Sequence, residues 1–186
     1  MSINNTRYTF GSLTKFFHWT VGIIIIAMLI LGLTMTRVSD KSLHLKLFAI
    51  HISLGLTVLI LIIFRVLWAL INQTPRYPDT MPAWEQTAAH LAHYVLYFLI
   101  LTMPLSGWIM ATASGKTPIF WGLFSAPFPG IHKSQYITGI CHYIHRYAAY
   151  TLIAVLVIHV LSALKHHYLA KDNILKRMLP FYKDKS

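Results

Sequence analysis

Residues 141–168, CHYIHRYAAYTLIAVLVIHVLSALKHHY, read as one long apolar helix with His145 and His159 in its interior. The two histidines are fourteen residues apart. At about 100° per residue the spacing totals about 1400°, some 40° short of whole turns, so both imidazoles leave nearly the same face. At about 1.5 Å of rise per residue they lie roughly 21 Å apart along the axis, most of a bilayer core about 30 Å thick. Two histidines stacked on one face, one toward each side of a membrane, suggest two haem irons in series. The rest of the chain is expected to supply their partners.

Composition agrees with a membrane setting. The chain has 186 residues, of which 56% are hydrophobic and 11% charged. Soluble domains carry about 25% charged residues, so the class is a membrane protein, and the length allows a single domain over residues 1–186. A net charge of +11 arises from 16 Lys and Arg against 5 Asp and Glu. In a soluble chain that balance would point to nucleic acid. Here the charges fall between and beyond apolar runs, where anionic headgroups and topology account for them. The single Cys141 excludes an intrachain disulfide and any multi-cysteine metal or iron–sulfur site. Eleven histidines are the anomaly, several of them inside apolar runs.

In chain order, residues 16–36 form an uncharged run long enough to span, too long for a signal-peptide core and without a small-residue cleavage site. A short loop leads to a second span over 47–71. The proline-rich QTPRYPDTMPAWEQ breaks the helix. A third span covers 87–113 and contains Pro104 and Gly107, a combination expected to kink it. The connection over 114–140 is aromatic and interrupted by prolines, and is expected to lie on the membrane interface. The fourth span, 141–168, is followed by a basic tail. The expected fold is therefore an all-α membrane protein, a four-transmembrane-helix bundle binding two haems between helices. Four spans place both termini on one side. That side holds ten Lys and Arg (Arg7, Lys15, Arg65, Arg76, Lys165, Lys171, Lys176, Arg177, Lys183 and Lys185) against six on the other. The bias places the termini in the cytoplasm of a bacterial inner membrane.

Topology gives each buried histidine a depth. His18 begins span one on the cytoplasmic side and His51 begins span two on the outer side. His145 is outer and His159 is toward the cytoplasm. Pairing by depth gives His18 with His159 and His51 with His145, two bis-histidine sites from three helices, each suited to haem iron. Gly22 and Gly55, each four residues after a ligand, would let the macrocycle approach the backbone. A lone histidine in a span can equally hydrogen-bond a neighbouring helix. Four at two matched depths favour a functional reading, and the absence of carboxylates and further cysteines at those depths disfavours zinc. His142, about 100° off the His159 face, is the rival to His145. Arg65, fourteen residues after His51, shares its face and is placed to pair a haem propionate or to snorkel to the interface.

FFHW, IHISLG, FRVLW, HLAHY, IHRY, VIHV and the closing ALKHHYLAKDNILKRMLP resemble bacterial cytochrome b561, over residues 14–180. That resemblance implies a four-helix membrane electron carrier with two haem b groups, held by His18 with His159 and by His51 with His145. It also implies ubiquinone as partner on the cytoplasmic side. One branch, the superoxide oxidases, passes electrons from superoxide to ubiquinone, so a superoxide:ubiquinone oxidoreductase is the enzymatic expectation. Where many members carry a second arginine four residues beyond the position of Arg65, this chain has Ala69, so the resemblance implies propionate pairing there that is weaker or uses another cation.

For the quinone, His93, Lys165 and His166 are the expected contacts, with His90 and His167 nearby. On the outer side Arg146, Lys116 and Lys133 would steer an anion. The roles of His44, His132, His142 and the 114–140 loop stay open. Two alternatives remain: a haem b anchor subunit of a hydrogenase or dehydrogenase complex, and a haem-free, histidine-lined proton or metal transporter.

Overall fold

In the computed structural model of the protein, residues 2–182 are described. Lys183 and Lys185, counted above on the terminal side, lie outside them. Four helices are long and apolar enough to cross a membrane. They are α1 (Ser12–Met35), α2 (Lys41–Ile71), α3 (Ala83–Ala113) and α4 (Gln135–Lys165). Each begins four to six residues before the corresponding apolar run, because polar residues outside hydrocarbon extend and cap the helix. The Asp40 carboxylate accepts the Leu43 N–H at 2.6 Å, and the Ser134 hydroxyl accepts that of Ile137 at 3.3 Å. Such caps contribute about 1 kcal/mol each. Pro104 lies inside α3 without ending it.

Two features depart from the expectations. The chain after Lys165, expected as a basic tail, carries further regular structure. It continues as a π turn, His166–Ala170, stops at Lys171 in the left-handed region (φ 56°), and forms α5, Ile174–Met178. The connection between α3 and α4 contains a small antiparallel hairpin, β1 (Ile119–Phe120) with β2 (Phe124–Ser125), held against α2 and α3.

The chain divides into two compact units. One takes the start of α1, the end of α2, the start of α3 and the end of α4, with the N- and C-terminal segments. Within it Lys15 Nζ donates to the Tyr182 carbonyl (3.0 Å), Trp19 Nε1 to that of Met178 (2.8 Å), and Arg177 to that of Arg76 (2.6 Å). The C-terminal segment is thus pinned to the start of α1 and to the loop between α2 and α3. The other unit takes the end of α1, the start of α2, the end of α3 and the start of α4. Its centre is formed by Val21, Ile62 and Leu152. In each unit helix starts alternate with helix ends, the pattern of an up-and-down arrangement. Large apolar side chains such as Leu70, Phe98 and Leu161 are more than half exposed. Lipid tails solvate such surfaces as well as a protein core does, so exposure carries no penalty in a bilayer.

Candidate functional site: two facing imidazole pairs

The four histidines singled out by depth meet in the expected pairs. In one unit His18 faces His159, with ring centres 6.2 Å apart and planes inclined at 45°. In the other His51 faces His145, again with centres 6.2 Å apart, at 72°. An imidazole nitrogen sits about 2 Å from a metal and about 1.1 Å from its own ring centre, so one metal between two rings holds the centres about 6 Å apart. Both pairs match that span.

The hydrogen bonding is compatible with ligation. His145 donates its Nδ1–H to the Met103 carbonyl at 2.9 Å. A carbonyl only accepts, so this contact selects the tautomer in which Nε2 carries the free lone pair. Ser106 supports the arrangement, donating to the same carbonyl at 2.9 Å with its oxygen 3.2 Å from His145 Nδ1. Nδ1 of His18 and of His51 is buried with no hydrogen-bond partner among the described residues. Leaving a buried polar atom unpaired costs about 1–3 kcal/mol, so neither ring is explained by a structural role in the protein alone.

His142 is exposed and packs on its own neighbour Tyr143, at 5.8 Å between ring centres, whereas His145 is the residue turned to His51. A Cβ at Gly22 would meet nothing within 4 Å, an opening a flat macrocycle can use, while one at Gly55 would touch Met28 at 3.6 Å. Two other glycines are closer to the imidazoles. A Cβ at Gly32 would lie 3.3 Å from His51 Cε1, and one at Gly107 would lie 3.0 Å from His145 Cε1. The sequence reading noted Gly107 only as a kink element and missed Gly32. Which residue faces a ring across a helix interface depends on packing.

Around the His18–His159 pair, His93 sits with its ring 5.5 Å from that of His159 and donates Nδ1–H to the Ala89 carbonyl at 2.7 Å. Arg65 lies over the Tyr97 ring at 5.3 Å. In the loop before α3, Tyr77 meets His90 edge-on at 5.2 Å, and burial pushes its phenol above the ordinary value, keeping it neutral.

Lys165 and His166 are engaged by carboxylates that sequence reading did not use. Lys165 Nζ pairs with Glu85 Oε1 at 2.5 Å. Buried His166 bonds Asp172 Oδ2 through Nδ1 at 2.6 Å and turns Nε2 to Glu85 Oε2 at 3.4 Å. Asp172 also accepts the Ile174 N–H at 3.0 Å, tying the π turn to α5. The available signal was scarcity, since only 5 acids occur in the chain. Asp172→Asn is expected to cost about 1–3 kcal/mol of stability by weakening this charge-assisted bond. Thermal unfolding in detergent, with proteolysis of the C-terminal segment, measures it; an unchanged midpoint and unchanged cleavage would count against the clamp.

Of the outer cations, Lys116 places Nζ 4.1 Å from the Phe48 ring centre and Arg146 stands 5.9 Å from that of Tyr150. Lys133 is exposed and packs its stem along Gly115. His44 donates Nδ1–H to the Met35 carbonyl at 3.0 Å, a structural role at the start of α2. His132 is exposed.

Among the described residues no group of three or more His, Cys, Asp or Glu side chains forms a metal cage. Four membrane-crossing helices carrying facing imidazole pairs define the class of b-type membrane cytochromes, in which haem sits between helices. The chain belongs to the prokaryotic cytochrome b561 family, whose model matches residues 9–181. It is 33% identical over 181 residues to cytochrome b561 homolog 2 of Escherichia coli (strain K12), covering 96% of this chain and 95% of that one. It is 30% identical over 172 residues to cytochrome b561 homolog 1 of the same organism, covering 92% and 97%. A third relative, the probable superoxide oxidase CybB of Yersinia pestis, is 27% identical over 164 residues, covering 88% and 91%. Family membership implies haem b and a role in membrane electron transport.

Proposed function

We propose that the protein is a dihaem cytochrome of the bacterial inner membrane that oxidises superoxide on the outer side and reduces ubiquinone near the cytoplasmic side. The observation that carries this reading is the pair of imidazole couples with matching 6.2 Å separations. His18 and His159 hold one haem b; His51 and His145 hold the other. Bound there, the two haems supply one-electron carriers, the chemistry that lets a one-electron donor serve a two-electron acceptor. Both termini are cytoplasmic, in keeping with the excess of Lys and Arg on their side.

Beyond superoxide and quinone the reaction consumes only two protons. Two superoxide anions each give up one electron and leave as O2, and the quinone takes the two electrons and two protons to become quinol. Arg146, Lys116 and Lys133 form a positive rim that raises the local concentration of an anion. Arg65 is placed to pair a propionate at the inner site. His93, Lys165 and His166 contact the quinone. His166 gives its Nδ1–H to Asp172 and turns Nε2 toward Glu85, which fixes the ring beside the quinone end. Naming superoxide as donor draws on the relative called a probable superoxide oxidase.

The test combines a spectrum with turnover. The purified protein is expected to show a Soret band and an α band on reduction, and superoxide with ubiquinone is expected to yield quinol. Haems that reduce with dithionite but ignore superoxide would favour the anchor-subunit reading. A protein with no haem spectrum would favour the transporter.

A further inference from the structure

The segment between α3 and α4 descends along α2 and returns along α3. Lys116 Nζ lies at the level of Phe48, 4.1 Å from its ring centre. Further on, the Ser53 hydroxyl donates to the Ile119 carbonyl (3.2 Å) and accepts the Trp121 N–H (3.0 Å). The Trp121 indole then donates to Thr57 Oγ1 at 3.1 Å. On the way back, Trp108 Nε1 donates to the Ala126 carbonyl (2.6 Å), and the Phe128 N–H donates to Thr112 Oγ1 (2.9 Å). From Phe48 to Thr57 the contacts move nine residues along α2, about 13 Å of axial rise.

Depth can be read from charge. Lys46 is the last charged residue of α2 before an apolar run that continues to Phe64. Ser53 and Thr57 stand seven and eleven residues past it, about 10 and 16 Å further along the axis. Residues 117–131 of the connection carry no charge. At the tip Ile119, Trp121, Leu123 and Phe124 are all about half exposed or more, Leu123 the most at 77%.

In hydrocarbon, non-helical backbone is tolerated only where protein groups satisfy its N–H and C=O groups. Ser53, Trp108 and Thr112 do this along both limbs, and Ser53 and Thr112 are buried in doing so. The turn also gives up an easier residue. Trp121 and Gly122 have φ of 50° and 74°, and the Leu123 N–H closes onto the Phe120 carbonyl at 2.9 Å, a type I′ geometry. Asn-Gly suits that turn, while a tryptophan in the left-handed region is strained by about 1 kcal/mol or more. The indole returns a bond to Thr57 and a large apolar face.

We propose that the 119–125 hairpin is a re-entrant element, with Trp121, Leu123 and Phe124 seated among the acyl chains of the leaflet into which α2 starts. Its partner is lipid, and it anchors the α3–α4 connection below the interface at which a free aromatic loop would rest.

A fluorophore at Leu123→Cys in a Cys141→Ser background, in phosphatidylcholine vesicles, tests this, with Lys133→Cys as the interfacial reference. Doxyl-labelled lipid is expected to quench the Leu123 probe several-fold more than iodide does, and the order is expected to reverse at Lys133. Quenching of both sites by iodide alike would overturn the proposal, and so would protection of Leu123 from both quenchers, which would mean a protein cover. Ser53→Ala is expected to raise iodide access at Leu123 with the haem spectrum unchanged. Should the Leu123 label prevent folding, Phe124→Cys reads the same depth, and the same outcomes decide.

Discussion

His145→Ala is expected to yield a protein with about half the haem of the parent, and His51→Ala to lose the same half. The two rings face each other across 6.2 Å. On the proposed pairing, removing one would leave the haem there held by a single histidine, and binding that depends on both would be lost. His18→Ala and His159→Ala are expected to remove the complementary half, and His51→Ala with His145→Ala together to remove no more than either alone. Pyridine haemochrome content per chain, with the reduced α band resolved into its components, measures this. Two different haems lost from His51→Ala and His145→Ala would break the pairing.

Gly107→Leu is expected to lose the same haem as His145→Ala although every histidine remains. A Cβ there would stand 3.0 Å from His145 Cε1 and 3.2 Å from Nδ1, closer than ordinary contact, and a leucine adds three carbons beyond it. Either the ring turns away from His51 or the α3–α4 contact opens, and in both cases the His145 bond to the Met103 carbonyl is lost. Overpacking of this kind costs about 1–3 kcal/mol before any ligand is counted. Gly32→Leu, facing His51 at 3.3 Å, is expected to act on the same site. Gly139→Ala, where a Cβ meets nothing within 4 Å, serves as the control with unchanged haem. A Gly107→Leu protein with parental haem content would show that His145 has a way to bind that the close contact denies it.

Sequence alone was enough for the class, the number of spans and which histidines face each other. Hydrocarbon thickness sets how long an apolar run must be, and the helical repeat sets which side chains share a face, so both are local quantities. His145 was separable from His142 because an angular offset of about 100° survives any packing. The tail and the loop were not legible in the same way. Lys165, His166, Glu85 and Asp172 are far apart in sequence or differ only by a turn, and the π turn that joins them depends on Asp172 reaching back to His166. Gly32 and Gly107 acquire meaning only when α1 meets His51 and α3 meets His145. The hairpin's depth rests on Ser53 and Thr57, which in sequence are two small polar residues in an apolar span. Periodicity along one helix was therefore decided by the chain itself. Contacts between helices, set by which surfaces pack, were decided only by the tertiary structure.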